Sequence, residues 1–188
     1  FFHQSVRREN VYGEEFSSER LLQDVKGNCR IISVPNLYGM PKYLFPQLSM
    51  QYNGPIGKNP PFFIDRNIAE WLECGKSREE IMNYISKGGV YSRSEILDMW
   101  EEFKQRLFER EKEWDIKVSD YILNSYKREK LFCDMNHITN KTAKEIASRI
   151  LKYMGYDGSV FTELCINLDA MEVFVYQDVK EALGLEFE

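Results

Sequence analysis

The sequence has few of the residues that build metal and redox sites. Its 188 residues include two histidines and four cysteines, and no CxxC pair occurs among Cys29, Cys74, Cys133 and Cys165. A structural zinc site needs a cluster of such ligands at short spacing. We therefore predict no metal site, and we interpret the cysteines as reduced, mostly buried thiols of a cytosolic protein.

Other signatures are also missing. The chain has no P-loop, no GxGxxG and no GxSxG motif, and no apolar run reaches the length of a membrane span. Its net charge of −5 does not provide the basic face that general nucleic-acid binding needs. We predict no membrane span and no nucleic-acid partner, and the oligomeric state stays open.

The composition that is present is typical of a globular protein. Hydrophobic residues make up 43% of the chain, aromatic residues 14% and charged residues 29%, so we predict a single α/β domain over 1–188. The β-branched residues between Arg30 and Pro35 predict a strand. Helical patterns dominate about 67–130. For the whole chain we predict a helix-rich fold with a small parallel sheet flanked by helices. The predicted helices cover 17–25, 67–74, 77–87, 92–114, 115–130, 142–154 and 167–183.

The stretch from 131 to 155 is the most informative. Leu131–Met135 is an apolar run that predicts a buried strand, and a polar loop follows it. Thr142 and Glu145 have the spacing of a capping box, which predicts a helix that Gly155 ends. His137 then lies between a strand end and a helix start, where ligand and catalytic groups collect in α/β sheets. The histidine is either a site residue or a partner for loop hydrogen bonds.

Two further segments can contact a ligand. Residues 36–61 hold five of the six prolines, which predicts an irregular segment that lines a cleft or covers the core as a lid. Arg7 and Arg8 can grip a phosphate or carboxylate, because guanidinium groups bind both in bidentate fashion. The alternative is that both arginines are solvated beside Glu9.

Several segments together resemble a known family. In chain order they are HQSVRREN, IISVPNLYGMPKYLFPQ, FFIDRNIAEWLECGKSREEI, REKEWDIKVSDYI and MNHITNKTAKEIASRIL, from Gln4 to about Gly155. They resemble the WcbI-type polysaccharide biosynthesis proteins. The resemblance implies an SGNH-hydrolase-like α/β fold, coenzyme A binding and acetylation of a bacterial capsule sugar.

The chain also departs from the family pattern. The family's Gly-Asn-Cys-Gln motif is absent, and its Asn-His-Pro pattern appears here as Asn136-His137-Ile138. We therefore expect the fold to be incomplete at its N-terminus. The parent chain should carry at least one more parallel strand, ending in a loop with a cysteine or serine near His137.

The resemblance implies roles for particular residues in acetyl transfer. His137 is the expected general base, because an imidazole titrates near neutral pH. Donors to the developing oxyanion are expected among Asn136, Asn140 and Gln4. The expected contacts to coenzyme A or acetyl-CoA are Arg7, Arg8 and Lys42 on phosphates, with Tyr38 or Tyr43 stacking on adenine.

Three functions follow from these patterns. The leading one is a coenzyme-A-dependent O-acetyltransferase that acts on a sugar or glycan in bacterial capsular or surface polysaccharide synthesis. The second is an SGNH-like esterase or deacetylase, for which no serine or cysteine stands in a convincing nucleophile position. The third is a non-catalytic helical module that binds a sugar, a nucleotide or a protein.

Overall fold

The computed structural model describes residues 2–4, 18–25, 27–51, 62–158 and 173–187. This part of the chain is a helix-rich α/β fold, as the sequence predicts. In chain order the elements are β1 (Phe2–Gln4), α1 (Ser18–Gln23), β2 (Ile32–Val34), β3 (Leu48–Gln51), β4 (Phe62–Asp65), α2 (Arg66–Glu73), α3 (Arg78–Lys87), α4 (Arg93–Glu111), α5 (Ser119–Ser125), α6 (Asn140–Tyr153) and α7 (Gln177–Leu183).

The strands of the described residues form two separate pairs. β1 and β2 are parallel, and their last residues, Gln4 and Val34, lie opposite each other. β3 and β4 are antiparallel, with Leu48 opposite Asp65. The segment 36–61 is therefore not irregular throughout, because β3 lies within it.

The predicted strand Leu131–Met135 is wrong. The chain folds back on itself here, with a single antiparallel bridge between Phe132 and Ile138. The reason is Asp134, whose carboxylate accepts from the backbone N–H groups two and three residues further on, at 2.6 and 2.9 Å. An aspartate that hydrogen-bonds its own backbone in this way makes a tight turn and ends the extended run.

The start of α6 also differs from the prediction. Thr139, not Thr142, is the N-cap, and its Oγ1 accepts from the Thr142 backbone N–H. Thr142 is instead a residue of the first turn of the helix, and its hydroxyl donates to the Leu131 carbonyl at 2.8 Å. Glu145 accepts from the Arg149 side chain at 2.6 Å instead of closing a capping box. Gly155 ends the helix with a φ of +87°, as predicted.

Two of the other helices begin where the sequence predicts, because side chains cap their first turns. Capping boxes at Ser77 and Ser92 start α3 and α4. The sequence predicts the box at Ser77, and it predicts that the second helix begins at Ser92 or Ser94. α4 ends at Glu111, and the predicted helix over 115–130 shrinks to α5. The cause is the buried Glu111 carboxylate, which accepts from the backbone N–H groups of Val118 and Ser119 and holds a loop there. In the predicted helix 167–183, residues 167–172 lie outside the described residues and α7 begins at Gln177.

The main core forms around α4. Tyr43 lies between Trp100 and Phe103, with ring centroids 4.7 and 4.6 Å away. Burial raises the pKa of the Tyr43 phenol far above its ordinary value, so the hydroxyl stays protonated. Tyr43 is thus a core residue, closed to a stacking ligand, and of the two predicted tyrosines only Tyr38 is half-exposed.

A smaller core fixes the position of α6. Ile32 and Val34 of β2 pack with Ile116, and Ile150 of α6 packs against this cluster. This contact agrees with the apolar helix face that the sequence predicts. The C-terminal part of α6 therefore lies beside β2. No helix in the described part of the chain is both long and apolar enough to cross a membrane.

Candidate active site

A cavity of about 300 Å³ opens between the end of β2 and the apolar face of α6. Its walls are mostly aliphatic, and three polar residues interrupt them. The lining residues are Val34, Pro35, Asn36, Leu37, Tyr38, Asn136, Ile138, Ala143, Ile146, Ala147 and Ile150. This size and composition match those of small-molecule clefts, which are apolar with a few placed polar groups.

Hydrogen bonds from distant elements hold the wall at 36–39 in place. Arg110 of α4 donates from Nη1 to the carbonyl oxygens of Asn36 and Tyr38, at 2.9 and 3.3 Å. The Gly39 N–H donates to the Met135 carbonyl at 2.9 Å. Residues 36–38 therefore lie at the carboxyl end of β2, and Tyr38 shares the cavity with Asn136.

An aspartate–histidine pair lies in the loop before α6. The Asp134 carboxylate is 6% exposed, and its Oδ2 and Oδ1 lie 2.7 and 3.0 Å from His137 Nδ1. The same carboxylate accepts from two backbone N–H groups, so its position is fixed from three sides. The His137 side chain is 64% exposed. Because Asp134 engages Nδ1, the other ring nitrogen, Nε2, is the atom that can meet a substrate proton.

Sequence reasoning missed Asp134. It lies within the apolar run that predicts a strand, and a strand would point its side chain away from His137. The signal that was available is the spacing Asp-x-x-His, because a turn brings residues i and i+3 together. A buried carboxylate on a histidine Nδ1 fixes the tautomer and the ring orientation, as an orienting group does in a catalytic site.

Asn136 lines the cavity and also has a buried polar atom. Its Oδ1 is buried, and it has no hydrogen-bond partner in the described structure. A buried acceptor without a partner is unfavourable, by about 1–3 kcal/mol.

The other predicted site residues fall into three groups. Gln4 lies at the carboxyl end of β1, opposite the cavity residue Val34, while its side chain is outside the described residues. Arg7 and Arg8 are also outside the described residues. Lys42 is exposed and is not among the residues that line the cavity. His137 does not line it either, although both of its chain neighbours do.

Metal ligands do not gather anywhere in the described ranges. No group of three or more histidine, cysteine, aspartate or glutamate side chains there can hold a metal ion.

Comparison with known proteins defines the class of fold. A solved structure of WcbI, described as a polysaccharide biosynthesis enzyme, matches the chain with a TM-score of 0.78 at 24% sequence identity. The match covers 100% of this chain and 62% of that one. That structure is described as the native protein without a disulfide bond between coenzyme A and a cysteine of WcbI. The fold is thus a WcbI-like α/β fold.

The family follows from the sequence match. The profile described as "Polysaccharide biosynthesis enzyme WcbI" matches residues 1–159. The chain belongs to this family, which agrees with the resemblance seen in its motifs. No curated protein matches the chain.

Proposed function

We propose that this chain carries the acid–base site of a coenzyme-A-dependent O-acetyltransferase that acts on a sugar in polysaccharide synthesis. The observation that carries the proposal is the Asp134–His137 pair, with a separation of 2.7 Å between Oδ2 and Nδ1. Its placement beside an apolar cavity provides a base and a ligand site next to each other.

In the proposed reaction His137 takes the proton from a sugar hydroxyl as that oxygen attacks the thioester carbonyl. The bond that forms joins the sugar oxygen to the acetyl carbon, and the bond that breaks is the carbon–sulfur bond. The imidazolium then returns the proton to the leaving thiolate, so atoms and charge balance. General-base catalysis of this kind contributes about 10²–10⁴-fold in rate. Asp134 stabilises the imidazolium that forms between the two proton transfers.

The remaining roles come from the family resemblance and stay predictions. Asn136, Asn140 or Gln4 donates to the developing oxyanion. Arg7, Arg8 and Lys42 meet the phosphates of coenzyme A, and Tyr38 contacts its adenine. The half-exposure of Tyr38 and its place in the cavity wall support a ligand contact.

A hydrolase is the second candidate, and the same Asp134–His137 pair favours it, since an esterase uses this pair to activate a nucleophile. A hydrolase of this kind also needs a serine or cysteine beside the ring. Within the part of the chain that the structure describes, the side chain bonded to the His137 ring is that of Asp134. The coenzyme A named for the matching WcbI structure favours the transferase over the hydrolase.

Ligand-dependent thermal unfolding tests the proposal. Coenzyme A at 100 times its dissociation constant should stabilise the native protein by about 2.7 kcal/mol, because it binds only the folded state. Pantothenate and adenosine serve as controls for weak binding by parts of the molecule. An unchanged unfolding temperature with coenzyme A and with acetyl-CoA would contradict a coenzyme-A-dependent function and leave the hydrolase.

A further inference from the structure

A second cleft, the polar cleft, lies on the face of α6 that is turned away from the cavity beside β2. Its volume is about 360 Å³, which is in the range of small-molecule sites. The helix lines it with residues at positions i, i+3, i+4 and i+7, which share one face. Further lining residues come from α5 and from the loop that follows it. The residues that matter here are Tyr121, Glu129, Lys141, Lys144, Glu145 and Ser148.

The lining of the polar cleft carries charges of both signs. Glu129 and Glu145 each bring a carboxylate, and Lys141 and Lys144 each bring an ammonium group. An anionic ligand would face the two carboxylates, and a cationic ligand would face the two ammonium groups, so like-charge repulsion disfavours both. A neutral ligand whose groups both donate and accept hydrogen bonds matches this lining best.

Contacts at the edge of the cleft hold its acceptors in place. Arg149 donates from Nε to Glu145 at 2.6 Å, and both carboxylate oxygens of Asp120 accept from the same guanidinium group, at 2.5 and 2.9 Å. The Tyr121 hydroxyl donates to Glu129 at 3.2 Å. Burial and the Glu129 charge raise the pKa of this phenol, so it stays protonated and remains a donor. Carboxylates held in this way lose little freedom when a ligand binds.

Lys144 is the charged group of the lining that these contacts do not use. Its side chain is partly buried, and within the described ranges no hydrogen bond or ion pair engages its ammonium group. Lys144 and Glu145 are consecutive residues of the same helix, so a donor and an acceptor stand next to each other in the cleft. A ligand with two neighbouring hydroxyl groups can reach both.

We propose that the polar cleft binds one neutral sugar ring of a glycan acceptor, with Lys144 donating to a ring hydroxyl and Glu145 accepting from the hydroxyl beside it. This inference rests on the proposed function. Each sugar hydroxyl is both a donor and an acceptor, as the mixed lining requires. The aromatic ring of Tyr121 is the apolar part of the lining and suits the C–H face of a sugar.

The ring that binds here differs from the ring that reacts. His137 does not line the polar cleft, and the cleft and the cavity lie on opposite faces of α6. His137 comes shortly before the first turn of the helix, and Lys141 in that turn lines the cleft. A glycan chain can therefore place one ring in the cleft and present a hydroxyl of another ring to His137. The acceptor is an oligosaccharide or a longer chain, not a single sugar.

Saturation-transfer NMR with neutral saccharides and without coenzyme A tests the cleft directly. The probes are methyl glycosides and linear trisaccharides of hexoses, deoxyhexoses and N-acetylhexosamines. At least one ring type should bind. The uronic acid and the amino sugar of that ring should bind several-fold more weakly, because each brings a charge that part of the lining repels.

Lys144→Met removes the ammonium group and keeps a side chain of similar length. Saccharide binding should weaken about tenfold or more, as for the loss of a hydrogen bond to a charged group, and the unfolding temperature should stay the same. Lys144→Arg keeps the charge and the donors and should recover most of the affinity. Lys87→Met is the matched control, because Lys87 is an exposed lysine of α3 that does not line the cleft. This control should bind like the parent protein.

Acetyl transfer gives a second readout. With a trisaccharide acceptor, Lys144→Met should raise KM about tenfold and leave kcat unchanged, because the ring in the cleft does not react. Unchanged saccharide binding in Lys144→Met, or binding of none of the probes, would overturn the cleft assignment while coenzyme A binding and transfer stand. Saccharide binding that depends on Lys144 in a protein that transfers no acetyl group would overturn the proposed function and leave the cleft assignment.

Discussion

At the scale of single residues, Asp134 has two tasks that a substitution can separate. Its carboxylate closes the turn by accepting two backbone N–H groups, and it holds His137 Nδ1 at 2.7 Å. An asparagine can keep the first task, because its amide oxygen also accepts from backbone N–H groups. It cannot stabilise an imidazolium, since it carries no negative charge.

Asp134→Asn should therefore lower acetyl transfer by about 10²-fold or more, as expected when the base loses its partner. The unfolding temperature should change little. Asp134→Ala is the comparison, because it also leaves the two backbone N–H groups unpaired and should lower the free energy of unfolding by about 2 kcal/mol. Steady-state rates and thermal unfolding of both variants measure this. Full activity in Asp134→Asn would remove the pair from the mechanism.

At the scale of elements, α6 holds both the turn that Asp134 closes and one wall of the cavity. Thr142 connects the first turn of this helix to the loop that Asp134 closes. Its buried hydroxyl donates to the Leu131 carbonyl at 2.8 Å. The last turn of α6 is tied to β2 through Ile150, which packs on the cluster that contains Ile32 and Val34. A helix held at these two places carries Ala147 and its neighbours as a rigid wall.

Thr142→Val should lower the free energy of unfolding by about 1 kcal/mol, because it keeps the shape and removes one buried hydrogen bond. Thr142→Ser keeps the hydroxyl and should recover that part of the stability. Chemical denaturation of both variants gives the comparison. Full stability in Thr142→Val together with a loss in Thr142→Ser would show that the methyl group, and not the hydroxyl, holds the helix start.

The sequence predicts these elements where the deciding interactions are local. The helix starts at Ser77 and Ser92, the apolar face of α6 and its end at Gly155 all depend on residues within one or two turns, and all appear in the structure. The strand at 131–135 fails because apolar residues alone do not distinguish a strand from a turn that one aspartate closes. The predicted N-cap of α6 is also wrong because of a distant contact. The Leu131 carbonyl accepts from the hydroxyl of Thr142, the threonine that the sequence predicts as the N-cap.

The candidate site is harder to predict because distant residues build it. The cavity wall at 36–38 depends on Arg110 of α4, more than 70 positions away in sequence, and on the contact between Gly39 and Met135. His137 and Asn136 could be selected from their place between apolar stretches. Only the folded chain shows that Tyr38 lies near them and that Asp134 holds the His137 ring.

At the scale of the whole molecule, the candidate site is continuous with the main core, which includes Leu37, Phe132 and Met135. α7 is fastened to the turn before α4 by Asp178, whose carboxylate accepts from the backbone N–H groups of Gly89, Val90 and Tyr91. The main core forms around α4, and the exposed His137 ring is not part of it. The chain spans 62% of the length of the solved WcbI structure that it matches. Changes at His137 should therefore alter chemistry without altering the fold.

The most direct measurement follows acetyl transfer and coenzyme A affinity together in His137→Gln. Thiol release from acetyl-CoA is measured with free and nucleotide-activated sugars as acceptors, and titration gives the affinity. We predict that transfer falls by about 10²-fold or more, while affinity and unfolding temperature stay the same, because the ring is exposed and lies outside the cavity. Unchanged transfer in His137→Gln would contradict the base role on which this account depends.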